Sequence, residues 1–360
     1  MATTAEVRLT ATAPSWTSTA GAVASGFWRH AILRALVKAA ATIYVVSTFT
    51  FVIVRLMPGN PIEIYIDKLV TEQLLSYEDA LATATGKFSV DLRRPIYEQY
   101  VSYLGNLARG DLGSSILSEG TPVTALLLRY LPWTVFAVGT GLMLSFLIGI
   151  SLGLMTALKR NSPTDHVVSS VSAVVSSIPD YLIGILLVVF LGVQLRWLPI
   201  TQMRGVLSPG IQPGFTFEFV RDAFFHASLP IVTYVLTHTG IWMLTMKNST
   251  LAALEEDYVT AARARGLSER RITTAYVGRN AILPLFTQFT ISAGFILGGA
   301  LFIEFIFVYQ GLGWLLYNSI NQRDYPIMQG VFLLITVSVV VANLLADLVY
   351  TKLDPRIGRG

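Results

Sequence analysis

The chain has 360 residues, of which 53% are hydrophobic and only 13% charged; its formal net charge is +4 and it contains no cysteine. A soluble domain carries about a quarter charged residues, so this composition excludes an ordinary soluble fold. Without cysteine there are no disulfides, Cys-based zinc sites or thiol nucleophiles, and the four histidines (His30, His166, His226, His238) lack paired ligand spacing, so no metal site is expected.

In chain order, residues 1–29 are rich in Ala, Thr and Ser and predict a disordered tail. Arg29, His30, Arg34 and Lys38 then lead into a first transmembrane helix, 30–57, with an apolar run over Ile32–Met57. Residues 58–122 hold fourteen charged residues of both signs and read as an extracytoplasmic region. Within it, Leu69–Ala84 and Pro95–Leu107 predict two helices, the second with Tyr97, Tyr100, Val101 and Leu104 on one apolar face. This region is either a docking surface or a cap over the bundle. Residues 123–350 form a five-helix core with spans near Pro132–Leu158, Val167–Leu195, Leu229–Met246, Ile282–Val308 and Gly330–Tyr350. Pro and Gly make Arg196–His226 an irregular loop, and Trp314–Ile320 a short helix after a turn at Gly311. Residues 351–360 close the chain as a tail. The expectation is an all-α polytopic membrane protein with six transmembrane helices.

With the N-terminus inside, the cytoplasmic segments hold fifteen Lys and Arg, against four in the two short outer loops. The positive-inside rule therefore places both termini in the cytoplasm. The basic pI describes that inner surface; no basic stripe with interleaved aromatics suggests nucleic acid.

Two ionisable residues fall inside predicted spans. Counting ~1.5 Å per residue along straight helices puts Asp180 roughly 20 Å and His238 roughly 13 Å into the bilayer from opposite sides. Either they line a polar path or they hydrogen-bond within the bundle. The same count places Glu304 near the outer interface and Asp347 near the inner one.

The cytoplasmic loop 247–281 is charged and helical in pattern. Leu251, Leu254, Tyr258 and Ala261/Ala262 recur at three- and four-residue spacing, Gly266 is a C′ stop, and Ser268 is an N-cap for a following helix. Two short helices bent at Gly266 would form a compact docking knob. An amphipathic helix lying on lipid headgroups is the competing reading, opposed by the acidic cluster Glu255-Glu256-Asp257.

Asp257-Tyr258-Val259, Ala262-Arg263-Ala264-Arg265-Gly266-Leu267, Arg271 and Asn280-Ala281 with Leu283-Pro284 resemble the ATPase-contacting loop of binding-protein-dependent ABC importers of the dipeptide/oligopeptide/nickel type. The likeness extends to Arg55-Leu56-Met57-Pro58-Gly59-Asn60-Pro61, Gly110–Ser115, Gly298-Gly299 with Glu304, Arg323-Asp324-Tyr325-Pro326 and Leu353-Asp354-Pro355-Arg356. The long segment after the first span resembles the first, B-type permease subunit. The resemblance implies the type I importer permease fold and ATPase coupling through Asp257, Tyr258, Ala261, Ala262, Arg263, Arg265, Gly266 and Leu267. It also implies structural or gating roles for Glu304, Arg323, Asp324 and Asp347. The implied partners are a second homologous permease, two ATPases that bind ATP and Mg, an extracytoplasmic substrate-binding protein, and membrane lipid. Peptides are the expected cargo, with oligosaccharides and nickel as alternatives. The chain departs from the family at Lys247, where Arg is frequent, at Thr260, and at Ala275-Tyr276-Val277-Gly278.

No G-x-x-x-x-G-K-[ST] loop is present, so no cofactor is expected on this chain and ATP hydrolysis belongs to partners. An intramembrane enzyme using Asp180 and Asp347, or a membrane scaffold, are readings of another class. No G-x-S-x-G, G-x-G-D or H-E-x-x-H motif supports the enzyme.

Overall fold

The computed structural model describes the backbone of residues 16–57, 61–72, 74–87, 94–116, 118, 120–298 and 300–353. The predicted tail segment 1–15, the end of the chain from Asp354, and the side chain of Asp347 lie outside the described residues. Every regular element is helical among those described: α1 Trp16–Leu56, α2 Pro61–Glu72, α3 Tyr77–Lys87, α4 Ile96–Ala108, α5 Val123–Leu158, α6 Pro163–Ser176, α7 Asp180–Leu187, α8 Phe217–Leu254, α9 Asp257–Ala264, α10 Glu269–Arg271, α11 Arg279–Phe295, α12 Leu301–Ile306, α13 Leu312–Gln322 and α14 Tyr325–Leu353. π-helical turns extend α7 over Val188–Gln194 and join α10 to α11 over Ile272–Gly278.

Contacts divide the chain into units 1–45 and 46–360. In the first unit the only described element is the N-terminal part of α1. It is helical from Trp16, inside the stretch expected to be a disordered tail up to residue 29.

In the second unit, α5 and α8 form the central pair, and glycines decide how closely they approach. A Cβ at Gly149 would overlap the Trp242 Cβ, and one at Gly153 would stand 2.5 Å from the Met243 carbonyl oxygen. Gly149 and Gly153 are four residues apart on one face, the small-residue spacing that lets membrane helices meet backbone to backbone. Three apolar clusters surround this pair. Val123, Leu126, Leu312, Leu316 and Val331 fill one end, Ala137, Leu229, Ile303 and Tyr309 the middle, and Met246, Val259, Ile272 and Leu285 the other end.

Five helices among the described residues are long and apolar enough to cross a membrane, or six if one bent pair is counted as a span. Two predicted spans are longer than their apolar cores, at Val123–Leu158 and Phe217–Leu254, and keep Pro132 and Pro230 inside the helix. Two others are interrupted. The third consists of Pro163–Ser176 and Asp180–Gln194, meeting at 98°. Pro179 supplies no N–H and disfavours helical geometry at Ile178, so the helix stops and restarts there. The straight-helix depth count for Asp180 therefore does not hold. The fifth span ends at Gly298, and Glu304 belongs to the separate α12, so its depth count from Pro284 fails for the same reason.

Within residues 58–122 the single predicted helix Leu69–Ala84 is two helices, α2 and α3, separated by Leu74 with φ +54°. Helix α4 starts after Pro95 as expected, but its apolar face is only partly covered. Tyr100 and Tyr103 pack on Phe51 with ring centroids 5.3 and 5.4 Å away, while Tyr97 and Val101 remain exposed.

Candidate functional site

The predicted knob exists, built in three pieces. Helix α8 runs to Leu254, the chain turns at Glu255 and Glu256, and α9 starts at Asp257. The continuous pattern Leu251-Leu254-Tyr258 thus spans two helices. Helix α9 ends in a closed turn: Gly266 N–H donates to the Arg263 carbonyl at 2.9 Å and Leu267 N–H to the Ala262 carbonyl at 3.3 Å. This is the paired bonding of a Schellman stop, with Gly266 at φ +74° in the C′ position. Ser268 has the extended backbone of an N-cap, but its side chain makes no capping bond.

The element has two faces. Val259, Ala262, Ile272 and Val277 are buried against Met246, Ala253, Ala281 and Leu285, which fastens α9 to the ends of α8 and α11. Asp257, Ala261, Arg263, Arg265 and Gly266 are exposed, and Tyr258 and Leu267 are half-buried. Ala262, expected to face a partner, is instead used for packing within the chain, because its 3% exposure leaves nothing to offer outside. Arg263 bridges the turn to Glu269, Nε to Oε1 at 2.9 Å. Arg160 approaches Glu255 to 3.7 Å on the surface.

About two turns back from the end of α8, a buried polar cluster joins α8 to the start of α6. Lys247 Nζ donates to Asp165 Oδ1 and, at 2.9 Å, to Ser169 Oγ. Ser169 Oγ donates to Asp165 Oδ1 at 3.0 Å, and the Asn161 N–H to Asp165 Oδ2 at 3.1 Å. Sequence reasoning noted Lys247 only as a departure from Arg and missed Asp165. The signal was Ser162-Pro163-Thr164-Asp165, a cap followed three residues later by an acid: the Ser162 hydroxyl does accept the Asp165 N–H, at 3.1 Å. Further along, α6 touches α8 at Gly240, where a Cβ would overlap Ser172 and Ser176.

At the break in the third span, Asp180 is the first residue of α7 and half-buried. It lies near enough to Tyr234 and His238 to act on both electrostatically. Helix α7, which Asp180 opens, packs against α8, which carries His238. His238 is also held by its own helix: its Nδ1 lies 2.9 Å from Thr237 Oγ1 and 3.2 Å from the Tyr234 carbonyl, and its ring stacks on Tyr234 at 3.9 Å.

Glu304 is a fully buried hub. Its Oε1 accepts from Thr134 Oγ1 at 2.7 Å, and its Oε2 from the N–H groups of Gly313 at 2.8 Å and Trp314 at 3.1 Å. Thr134 Oγ1 in turn accepts the Leu312 N–H at 2.7 Å. Leu312, Gly313 and Trp314 open α13, so one Glu and one Thr satisfy three of the N–H groups a helix start leaves unpaired. A Cβ at Gly311 would overlap both oxygens that make these bonds. Asp324 is buried too, accepts from Ser115 Oγ at 2.5 Å, and precedes α14. Arg323 ends α13 in the left-handed region at φ +58° and donates to the Ile320 carbonyl at 3.2 Å. These three residues hold the corner between α12, α13 and α14. No cluster of three or more His or acidic groups that could hold a metal occurs among the described residues.

Residues 149–359 match the family described as "binding-protein-dependent transport system inner membrane component". A putative peptide permease protein of Brucella ovis is 34% identical over 307 residues, covering 85% of this chain and 92% of that protein. The oligopeptide transport system permease protein AppB of Bacillus subtilis is 31% identical over 91% of this chain and 98% of its own length. The glutathione transport system permease protein GsiC of Escherichia coli is 27% identical with the same coverage.

Proposed function

The chain belongs to the inner-membrane components of binding-protein-dependent transport systems, and on that premise we propose that it forms half of the path of an ATP-driven peptide importer. It is an all-α, multi-pass membrane permease subunit of the type I importer fold, a transport component rather than an enzyme. The observation that carries the finer reading is the two-faced element around α9. Its apolar face is fixed to α8 and α11, and its polar face is left outside.

In this reading, Asp257, Tyr258, Ala261, Arg263, Arg265, Gly266 and Leu267 present the surface that a partner ATPase holds. Two ATPases bind ATP and Mg, a second permease completes the path, and an extracytoplasmic binding protein delivers cargo. Both termini are cytoplasmic. Because α9 is packed on the end of α8, a displacement of α9 is delivered to α8 and, through Lys247 and Asp165, to α6. Asp180 at the break in the third span lines the path, and His238 beside it is a packed imidazole. Peptide cargo is supported by the relatives, whose names specify peptides or glutathione.

A cysteine at Ala261, introduced into this Cys-free chain, tests the coupling. It should cross-link to the ATPase subunit that co-purifies, and the yield should change when ATP is added. A cysteine at 261 that labels freely with and without co-purified ATPase would defeat the docking assignment. Uptake in reconstituted vesicles, with labelled dipeptide, oligosaccharide and nickel in separate arms, decides the cargo.

A further inference from the structure

Helix α4 carries more apolar surface than the protein covers. Over Ile96–Ala108 its 13 residues include one charge, Glu98. At 3.6 residues per turn, Tyr100, Tyr103 and Leu107 make one apolar stripe, and Tyr97, Val101, Leu104 and Ala108 a second beside it. Glu98, Ser102 and Asn106 make a third, polar flank.

The first stripe packs on α1. The Tyr100 and Tyr103 ring centroids lie 5.3 and 5.4 Å from that of Phe51, and the Tyr100 hydroxyl is 2.7 Å from Thr48 Oγ1. On the polar flank, Ser102 and Asn106 border a cavity shared with Arg55, Asp111 and Tyr325, which turns this flank toward the bundle. The remaining stripe points away from the bundle and is bare: Tyr97 and Val101 are 68% and 67% exposed. It adjoins the side of α1 on which Phe49, Val52, Ile53 and Leu56 are exposed as well.

Depth decides what covers this stripe. The span Leu33–Leu56 has 24 residues, which is ~36 Å of helix against a hydrocarbon core of ~30 Å. Thr48 lies eight residues before Leu56, or ~12 Å along the axis. Even with the whole ~6 Å surplus at the Leu56 end, the Tyr100 hydroxyl meets Thr48 ~6 Å below the edge of the core. That matches the ~5–10 Å to which a helix lying in the interface buries its apolar face.

We propose that α4 is an interfacial helix, lying in the leaflet at the Leu56 end of the first span with Tyr97, Val101, Leu104 and Ala108 against lipid acyl chains. In the orientation proposed above, this is the outer leaflet. Tyr97 suits that level, because its ring is apolar while its hydroxyl donates to Glu98 Oε1 at 3.2 Å, on the polar flank. With Glu98 as its one charge, α4 is held by apolar burial and not by attraction to anionic lipid.

Single cysteines in this Cys-free chain test the placement. The transporter, purified through a tag on this chain, is labelled with a fluorophore at Val101→Cys or at Glu98→Cys and reconstituted in phosphatidylcholine vesicles. Brominated acyl chains and aqueous iodide are the two quenchers. Brominated lipid should quench the label at 101 at least twice as strongly as the label at 98, and iodide should show the reverse order. If Val101→Cys does not assemble, Ala108→Cys on the same stripe takes its place. Equal iodide quenching at the two positions would put the stripe in water and overturn the proposal. A label at 101 shielded from both quenchers would mean that protein covers it, a second permease or a binding protein, and would overturn it equally.

Discussion

Lys247 and Asp165 stand 82 residues apart in sequence and meet in a buried ion pair that joins α8 to the first turn of α6. Their side chains are 16% and 4% exposed, so solvent does little to screen them. Removing one partner leaves the other charge without its counter-charge in a largely covered site, which destabilises the joint. Asp165→Leu should lower the thermal midpoint of the purified protein sharply. The double change Asp165→Leu with Lys247→Met should recover most of that loss, because replacing both charges removes the desolvation cost as well. A double variant no better than the single would show that packing, not charge balance, holds this joint.

Gly266 adopts φ +74° with open space where a Cβ would go, so only backbone geometry opposes substitution. A β-branched residue in this region costs roughly 1–2 kcal/mol and would loosen the Schellman turn. Gly266→Val should keep membrane insertion while ATP hydrolysis by the complex becomes less tightly linked to uptake. The ratio of transported substrate to ATP consumed, at matched expression, is the measurement.

The Glu304 network should behave as one unit. Glu304→Ala strands the Thr134 hydroxyl and two helix-start N–H groups in a dry site, at about 1–3 kcal/mol for each unsatisfied group. Glu304→Gln, which keeps an acceptor and nearly the same volume, should cost less. Thr134→Val combined with Glu304→Ala should fall well short of the sum of the single effects in chemical or thermal unfolding, as for neighbours that share partners.

Topology is testable by labelling, and the structure guides where to place the probe. Ser208 donates its N–H and its hydroxyl to the Asp222 carboxylate, both at 2.7 Å, so a cysteine there would disturb the loop. Gln212 is exposed in the same loop, and Ser268 is exposed beside α10. A cysteine at 212 should react with an impermeant maleimide from outside the cell and one at 268 should not; the reverse would invert the orientation drawn from Lys and Arg.

For Asp180, the path reading expects Asp180→Asn to change transport rate or substrate preference with normal assembly. A purely structural residue would tolerate Asn, while Leu would reduce the assembled yield. Uptake in vesicles and the yield of complex, measured for both variants, separate these outcomes.

Helix content and the number of crossings were legible because apolar runs near twenty residues have few other uses. Gly266 was legible because a positive-φ stop favours one residue type strongly. The breaks at Pro179 and after Gly298 were not, since hydropathy measures how apolar a run is and not whether its axis is straight. The partners of Lys247 and Glu304 were also hidden. Asp165 is 82 residues from Lys247, and Thr134 is 170 residues from Glu304, distances over which local pattern carries no information. Ala262 was misplaced because a small side chain in a helix serves equally for packing inward and for contact outward.

The meeting of Gly149 and Gly153 with Trp242 and Met243 has a mechanical corollary. A slip of α5 along α8 by even one residue, ~1.5 Å, would drive side chains into backbone that only glycine leaves free. The two longest crossings therefore act as a single rigid beam, and any rocking of the subunit must pivot at its joints. Those joints are the corner at Ser177–Pro179, beside Asp180, and the interruption that separates Gly298 from Leu301, one turn before Glu304.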